Sequence, residues 1–375
     1  MINVTELATL ISRQLDMSDV KHAQKIEKNI PIYDCAALAD HLDNPDTLKK
    51  EIGNNLLNGS GVVVLKGAYT DLSLIDDVSE KFLEIIAAEK EAAIGGGDHF
   101  AKPGANDRIW NSLEKLARHA PDLFVRYHAN RWIQLASEAW LGPAYQMTAQ
   151  VNLVYPGGAA QTGHCDYHMG FMTKEQALSY PAHIHATSAQ LTLQGGIAHC
   201  DMSVESGPTK LLPFSQKWQG NYAGYREKNA QDLFEANYVQ LPLSKGDLLF
   251  FSPGLMHAAG ANQTDDVKRL VNLLQVGSAF GRSIESVNRS AMCEAVFEPM
   301  KAALSDGTLT QAEISATIAS TGEGYPFPTN LDSDPPIGGM APPSQQDIMH
   351  DGLRENWTLD QLKNAITERD AKKQP

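Results

Sequence analysis

The sequence predicts a mainly β protein, with a β-barrel or jelly-roll core and helical covers at both ends. Three observations carry that prediction. Apolar and polar residues alternate through several stretches between residues 146 and 282, the period of a half-buried strand. Two of those strands put polar side chains on a face that a sandwich would bury, as a small barrel does when it holds a polar ligand. Before and after them, apolar residues recur at helical spacing.

Taken in order, the first sixty residues read as mostly helical, closing in the loop "NNLLNGSG". Val62–Lys66, "VVVLK", reads as a short buried strand. Thr70 or Asp71 can cap the next helix, whose Leu74, Val78, Phe82 and Ile85 share a face. The run Gly95–Gly97 does not open a helix behind a strand, so it reads as a lid hinge and not a phosphate cradle. A further helix is predicted through "DLFVRYHANRWIQLASEAWLG", stopping at Gly142-Pro143. "YQMTAQVNLVYPGG" alternates, with Met147, Ala149, Val151 and Leu153 on one face and Thr148, Gln150 and Asn152 on the other. "SAQLTLQGGIA" alternates too, with Leu191 and Leu193 opposing Gln190, Thr192 and Gln194. "GPTKLLPFSQKW", "YVQLPLSKGDLLFFSPG" and "KRLVNLLQVGSAF" add strands between Gly/Pro turns. After residue 283 the texture is helical, then Pro/Gly-rich in "GEGYPFPTNLDSDPPIGGMAPPSQQ", then helical again in "TLDQLKNAITERDAKK". One domain is expected, in three parts: 1–145, helical with one or two strands; 146–282, the β core that carries catalysis; and 283–375, a helical and Pro/Gly-rich cover.

Composition excludes several classes of partner. A net charge of −14 with no sustained Lys/Arg cluster speaks against nucleic acid and an anionic membrane surface. No apolar run is long enough to span a bilayer, and the N-terminus lacks a signal peptide's basic start and apolar core. Cys35, Cys165, Cys200 and Cys293 are scattered without a CxxC, which predicts a reducing, cytoplasmic setting.

The tripeptide His-Cys-Asp occurs twice, as His164–Asp166 in "GHCDYH" and His199–Asp201 in "AHCDMS". Residues i and i+2 of a strand share a face, so either copy can present a histidine and an aspartate together. A third ligand must come from elsewhere, and beyond residue 200 only His257 and His350 remain. His257 follows an apolar strand and a turn; His350 sits near the end of the chain. Two histidines and one carboxylate leave open positions on a six-coordinate ion, the set of non-haem Fe(II) oxygenases. His164 follows a glycine-rich turn after a strand with a polar face, and enough chain lies between Asp166 and His257 to fold back. His199 ends an apolar strand and Asp201 leads into a turn, so that copy reads as strand-end and turn chemistry. His183 and His185, in "PAHIHATS", read as surface or loop chemistry and not a second metal pair. In "RLVNLLQ", Arg269, Val271, Leu273 and Gln275 share one face; if it is inward, Arg269 needs an anionic partner.

The arrangement resembles the phytanoyl-CoA dioxygenase family of Fe(II)- and 2-oxoglutarate-dependent oxygenases, over residues 55–282. The likeness rests on "GSGVVVLKGAYTDLSLIDDV", on His164 and Asp166 after a glycine-rich turn, on "ESGPTKLLPFSQKW", on "KGDLLFFSPGLMHAAGAN" with His257, and on Arg269 in "DDVKRLVNLLQ". Phe214 and Gln216 stand where the family's Pro-Gly-Ser-His has glycine and histidine, and Ala258-Ala259 follow the distal histidine. The resemblance implies a double-stranded β-helix, cupin-like core. It implies Fe(II) held by His164, Asp166 and His257, and 2-oxoglutarate gripped at its far carboxylate by Arg269, with Lys268 beside it as the competing candidate. Gln150 and Asn152 would hydrogen-bond the co-substrate; Tyr167, His168 and Phe171 would line the substrate mouth. The implied reaction consumes O₂, with ascorbate as a possible reductant, releases succinate and CO₂, and hydroxylates a small organic metabolite. A carboxylate at Asp166 favours hydroxylation over halogenation. The alternative is a cupin-like metal-dependent binding protein or isomerase without O₂ chemistry.

Overall fold

Alternating side chains and the turns between them build one large sheet in the computed structural model, which describes residues 4–92 and 105–374. Its strands are β1 (Lys25–Glu27), β2 (Ile30–Asp34), β3 (Val62–Lys66), β4 (Asn106–Ile109), β5 (Gln146–Val154), β6 (Thr192–Ala198), β8 (Leu248–Phe251) and β10 (Arg269–Gly277). The order is β1-β2-β3-β8-β6-β10-β5-β4, and only β2 and β3 run parallel. The two remaining strands, β7 (Lys210–Leu211) and β9 (His257–Ala258), pair as a short second sheet.

Register assigns the faces, because residues opposed across an antiparallel pair point the same way. Met147, Ala149 and Val151 of β5 share the outer face with Leu274 and Val276 of β10, and pack in one core with Phe82, Phe124, Ile133 and Phe297 of the covering helices. The inner face is graded. At one end Ile32, Val64, Leu249 and Phe251 form a dry layer with Leu211 and Leu255 from around the short sheet. Towards the other end Gln194 of β6 lies opposite Gln275 of β10, which lies opposite Thr148 of β5, with Asn152 and Arg269 further along. The apolar end closes the two layers; the polar end leaves groups that need partners.

The fold departs from expectation in three places. Four strands of the large sheet come from the first 145 residues, not one or two. β1 and β2 form a hairpin whose two turn residues, Lys28 and Asn29, both have positive φ, 51° and 66°, a turn that matches strand twist but is usually marked by glycine. Ala182–Gln190 is helical, so β6 begins only at Thr192. The helix expected as one piece through residue 141 is two, Pro121–His128 and Arg131–Leu141, the second capped by the Asn130 side chain. Asp71 caps the helix Leu72–Glu91. Gly95–Gly97 lie outside the described residues. No helix among the described residues is long and apolar enough to cross a membrane.

Candidate metal centre

Residues 163–166 run beside β9. His164 and His257 form an antiparallel bridge, each backbone N–H donating to the other's carbonyl at 2.9 Å. A Cβ at Gly163 would lie 2.6 Å from the Phe234 ring, so only glycine lets this segment approach so closely. The bridge sets the two imidazoles 4.5 Å apart between centroids. Asp166 donates its backbone N–H to the Pro253 carbonyl at 3.1 Å. His164 Nε2 is 3.7 Å from Asp166 Oδ1, and His257 Nε2 is 3.3 Å from Oδ2. One ligand atom from each of the three residues lies within 4.8 Å of the others.

The tautomers follow from the partners. His164 Nδ1 lies 2.8 Å from the Thr162 carbonyl and His257 Nδ1 2.8 Å from the Leu255 carbonyl. A carbonyl only accepts, so each Nδ1 carries a hydrogen, and each imidazole turns its Nε2 towards the Asp166 carboxylate. Burial would raise the Asp166 carboxyl, but the His164 and His257 imidazoles and the Gln194 amide outweigh it and hold the group well below the usual carboxylate range. Two imidazoles and one carboxylate fit a divalent ion such as Fe(II).

Arg269 begins β10 on the same inner face and is buried. Its Nη1 donates to the carbonyls of Ser206 at 2.7 Å and Gly260 at 3.1 Å, and no carboxylate pairs with it among the described residues. Burial pushes the guanidinium down to about 10. Gly207 makes room: its φ is +77°, and a Cβ there would lie 2.6 Å from Arg269 Nη1. Lys268 is exposed, its ammonium 5.9 Å over the Tyr155 ring. A buried cation that meets only carbonyls among the described residues has the charge to attract an anion.

Gln150 and Asn152 are buried on that face; Asn152 Oδ1 accepts from Asn106 at 3.1 Å. Burial pushes the Glu285 carboxyl up, against the pull of the Asn111 backbone amide and the Gln150 side chain. Tyr167 is buried and its hydroxyl donates to Gln275 Oε1. His168 is exposed, with Nδ1 2.8 Å from the Ser188 hydroxyl, and Phe171 stands 84% exposed. Spacing did not reveal Gln194, whose Nε2 donates to Asp166 Oδ2 at 2.6 Å. The alternation placed it with the polar residues of β6, but only the fold brings Asp166 to it.

The second tripeptide lies across the sheet. His199 is buried on the outer face, with Nδ1 2.8 Å from the Ser79 hydroxyl and Nε2 2.7 Å from the Tyr127 hydroxyl. Asp201 accepts the Lys245 backbone N–H at 2.8 Å, within a turn. His185 is buried in its helix, with Nε2 2.9 Å from the Ala177 carbonyl.

The chain is similar to several known proteins. Dioxygenase trt7 of Aspergillus terreus is 23% identical over 239 residues, covering 60% of this chain and 72% of that one. Dioxygenase andF of Emericella variicolor is 24% identical over 142 residues, 37% of this chain and 44% of that one. Among solved structures, the non-haem alpha-ketoglutarate-dependent epimerase SnoN of nogalamycin biosynthesis is similar with a TM-score of 0.45 and 19% identity, over 63% of this chain and 82% of that one. EctD from S. alaskensis with bound Fe has a TM-score of 0.45 and 15% identity, over 61% and 76%. The family model described as Phytanoyl-CoA dioxygenase (PhyH) matches residues 57–270, a span that holds His164, Asp166, His257 and Arg269. With more than half of its length matched by that model, the chain belongs to the phytanoyl-CoA dioxygenase family.

Proposed function

We propose that this chain is a dioxygenase that uses Fe(II), 2-oxoglutarate and O₂ to hydroxylate a small organic molecule, with release of succinate and CO₂. The observation that supports it most is the convergence of His164 Nε2, His257 Nε2 and the Asp166 carboxylate within 4.8 Å, on the sheet face that also buries the Arg269 guanidinium, which pairs with no carboxylate among the described residues. His164, Asp166 and His257 would hold the metal; bound there, iron supplies the O₂ activation and oxidation that no side chain can perform.

The chain's own residues would do the rest. The Thr162 and Leu255 carbonyls fix both imidazoles in the ligating tautomer. Arg269 would meet the far carboxylate of 2-oxoglutarate with paired donors, a match that the exposed ammonium of Lys268 does not offer. Gln150 and Asn152 would bond the co-substrate along the same face. Tyr167 would close the inner wall, with His168 and Phe171 at the outer edge where substrate arrives. The four cysteines are free, and three of them are buried, which suits a reducing compartment such as the cytoplasm.

The test is succinate formation. Purified protein is incubated with Fe(II), 2-oxoglutarate and ascorbate, with and without a metabolite library, and products are screened for the mass of one added oxygen. Succinate above a His164→Ala control supports the reading; none, with any substrate, overturns it.

A further inference from the structure

Following the Asp166 carboxylate outward leads to a buried amide. Gln194 sits on the inner face of β6, opposite Gln275 of β10 and Phe251 of β8. Its Nε2 donates to Asp166 Oδ2 at 2.6 Å, the one hydrogen bond its side chain makes among the described residues. Its Oε1 is buried and has no hydrogen-bond partner among them. An amide kept for structure satisfies both ends, because a buried carbonyl without a donor is costly. Here one end is left over and the other is committed to a carboxylate. The orientation is forced, since an ionised carboxylate accepts hydrogen bonds and only the NH₂ end can supply one.

A second tie runs alongside. Tyr167, the next residue in the chain, donates its hydroxyl to Gln275 Oε1, and Gln275 is the cross-strand neighbour of Gln194. Tyr167 and His168 both have positive φ, 71° and 37°, a backbone that residues other than glycine keep only when their surroundings hold them there. Two amides side by side across β6 and β10 therefore anchor the carboxylate and the bend after it.

We propose that Gln194 is a positioning residue for the metal's carboxylate. By holding Asp166 Oδ2 at 2.6 Å it fixes the carboxylate between His164 Nε2, 3.7 Å from Oδ1, and His257 Nε2, 3.3 Å from Oδ2. This rests on the metal reading given above, and the two are tested separately. Gln194→Met keeps length and bulk and removes the donor; Gln194→Asn keeps the amide but falls one methylene short, and serves if the first variant does not fold. Mn(II) is titrated calorimetrically into full-length wild-type, His164→Ala and Gln194 variant proteins.

Wild type is expected to bind and His164→Ala not to bind. The Gln194 variants should bind about 10–100-fold more weakly, the usual loss when a group that orients a ligand is removed, while the metal-free melting temperature stays at the wild-type value. With Co(II) at saturation, the visible ligand-field bands of the variants should be altered, a change that a merely structural role would not produce. If wild type binds and the variants match it in affinity and bands, the positioning role is overturned and the metal reading stands. If wild type fails to bind Mn(II) and Co(II), both are overturned.

Discussion

The same three residues, His-Cys-Asp, meet opposite fates on the two sides of one sheet. At His164–Asp166 the two imidazole nitrogens are used differently. Nδ1 is committed to a backbone carbonyl, and Nε2 points into a space shared with His257 and Asp166. At His199 both nitrogens are taken by hydroxyls of covering helices, Ser79 and Tyr127, and Phe82 lies 5.5 Å away between ring centroids. Asp166 faces Gln194 and the histidines, whereas exposed Asp201 caps a turn at Lys245. The difference teaches that neighbours decide what a histidine can do. A histidine whose Nε2 faces a carboxylate and a second imidazole is a candidate metal donor; the same residue with both nitrogens bonded to hydroxyls is a strut.

The largest expected effect separates the two aspartates. Asp166→Ala should abolish metal binding and succinate formation. Asp201→Ala should leave both at wild-type level, and a variant that loses metal at Asp201 would break the contrast.

Arg269 and Lys268 make the next comparison. Arg269→Leu should raise the KM for 2-oxoglutarate by on the order of 10²-fold, since truncating one partner of a buried charge pair costs several kcal/mol. Lys268→Ala should not move it. Steady-state kinetics with varied 2-oxoglutarate reads both, and equal effects would mean that the buried guanidinium is not the clamp.

His199 should affect stability and not metal. His199→Leu removes one partner from each of the Ser79 and Tyr127 hydroxyls, which keep the Ile75 carbonyl and the Asn272 amide, and should lose about 1–3 kcal/mol in denaturant unfolding, with metal affinity retained. Its pH dependence has a definite sign. Burial pushes His199 down to about 3, while the unfolded chain titrates near the ordinary value of about 6.5. The contribution is therefore full above about 6.5 and is lost as pH falls towards 3, at about 1.4 kcal/mol per pH unit. Buried His128, likewise pushed down to about 3, acts in the same window. His199→Leu should unfold with a shallower acid slope than wild type; an unchanged slope would mean that His199 is not held neutral. Smallest of all, Asp201→Ala should change stability by about 0.5 kcal/mol or less, because the site is exposed.

How much of this was legible in the sequence varies with the physics. The convergence of His164, Asp166 and His257 was readable because a His-x-Asp after a glycine-rich turn and a histidine after an apolar strand restrict the choices to a few residues. β5 and β10 were readable because nine-residue alternation is hard to mistake. The β1–β2 hairpin was hidden, since its strands are short and its left-handed turn uses Lys28 and Asn29 where glycine would signal it. The strand read in "SAQLTLQGGIA" begins only at Thr192, because Ala182–Gln190 folds as a helix before it. Phe214 shows how a departure from the family pattern is absorbed. It takes a left-handed backbone, φ 69°, in the place of a glycine, and its fully buried ring lies 5.3 Å from the Arg13 guanidinium. Gln194 was beyond reach because its role depends on which loop the fold lays over β6, and spacing gives a face but not a neighbour.

Metal stoichiometry tests the central claim most directly. Fe(II) bound per chain is counted under anaerobic conditions for wild type, Asp166→Ala and Asp201→Ala. The predicted counts are one, none and one. Two ions in wild type, or loss of the ion in Asp201→Ala, would contradict the account.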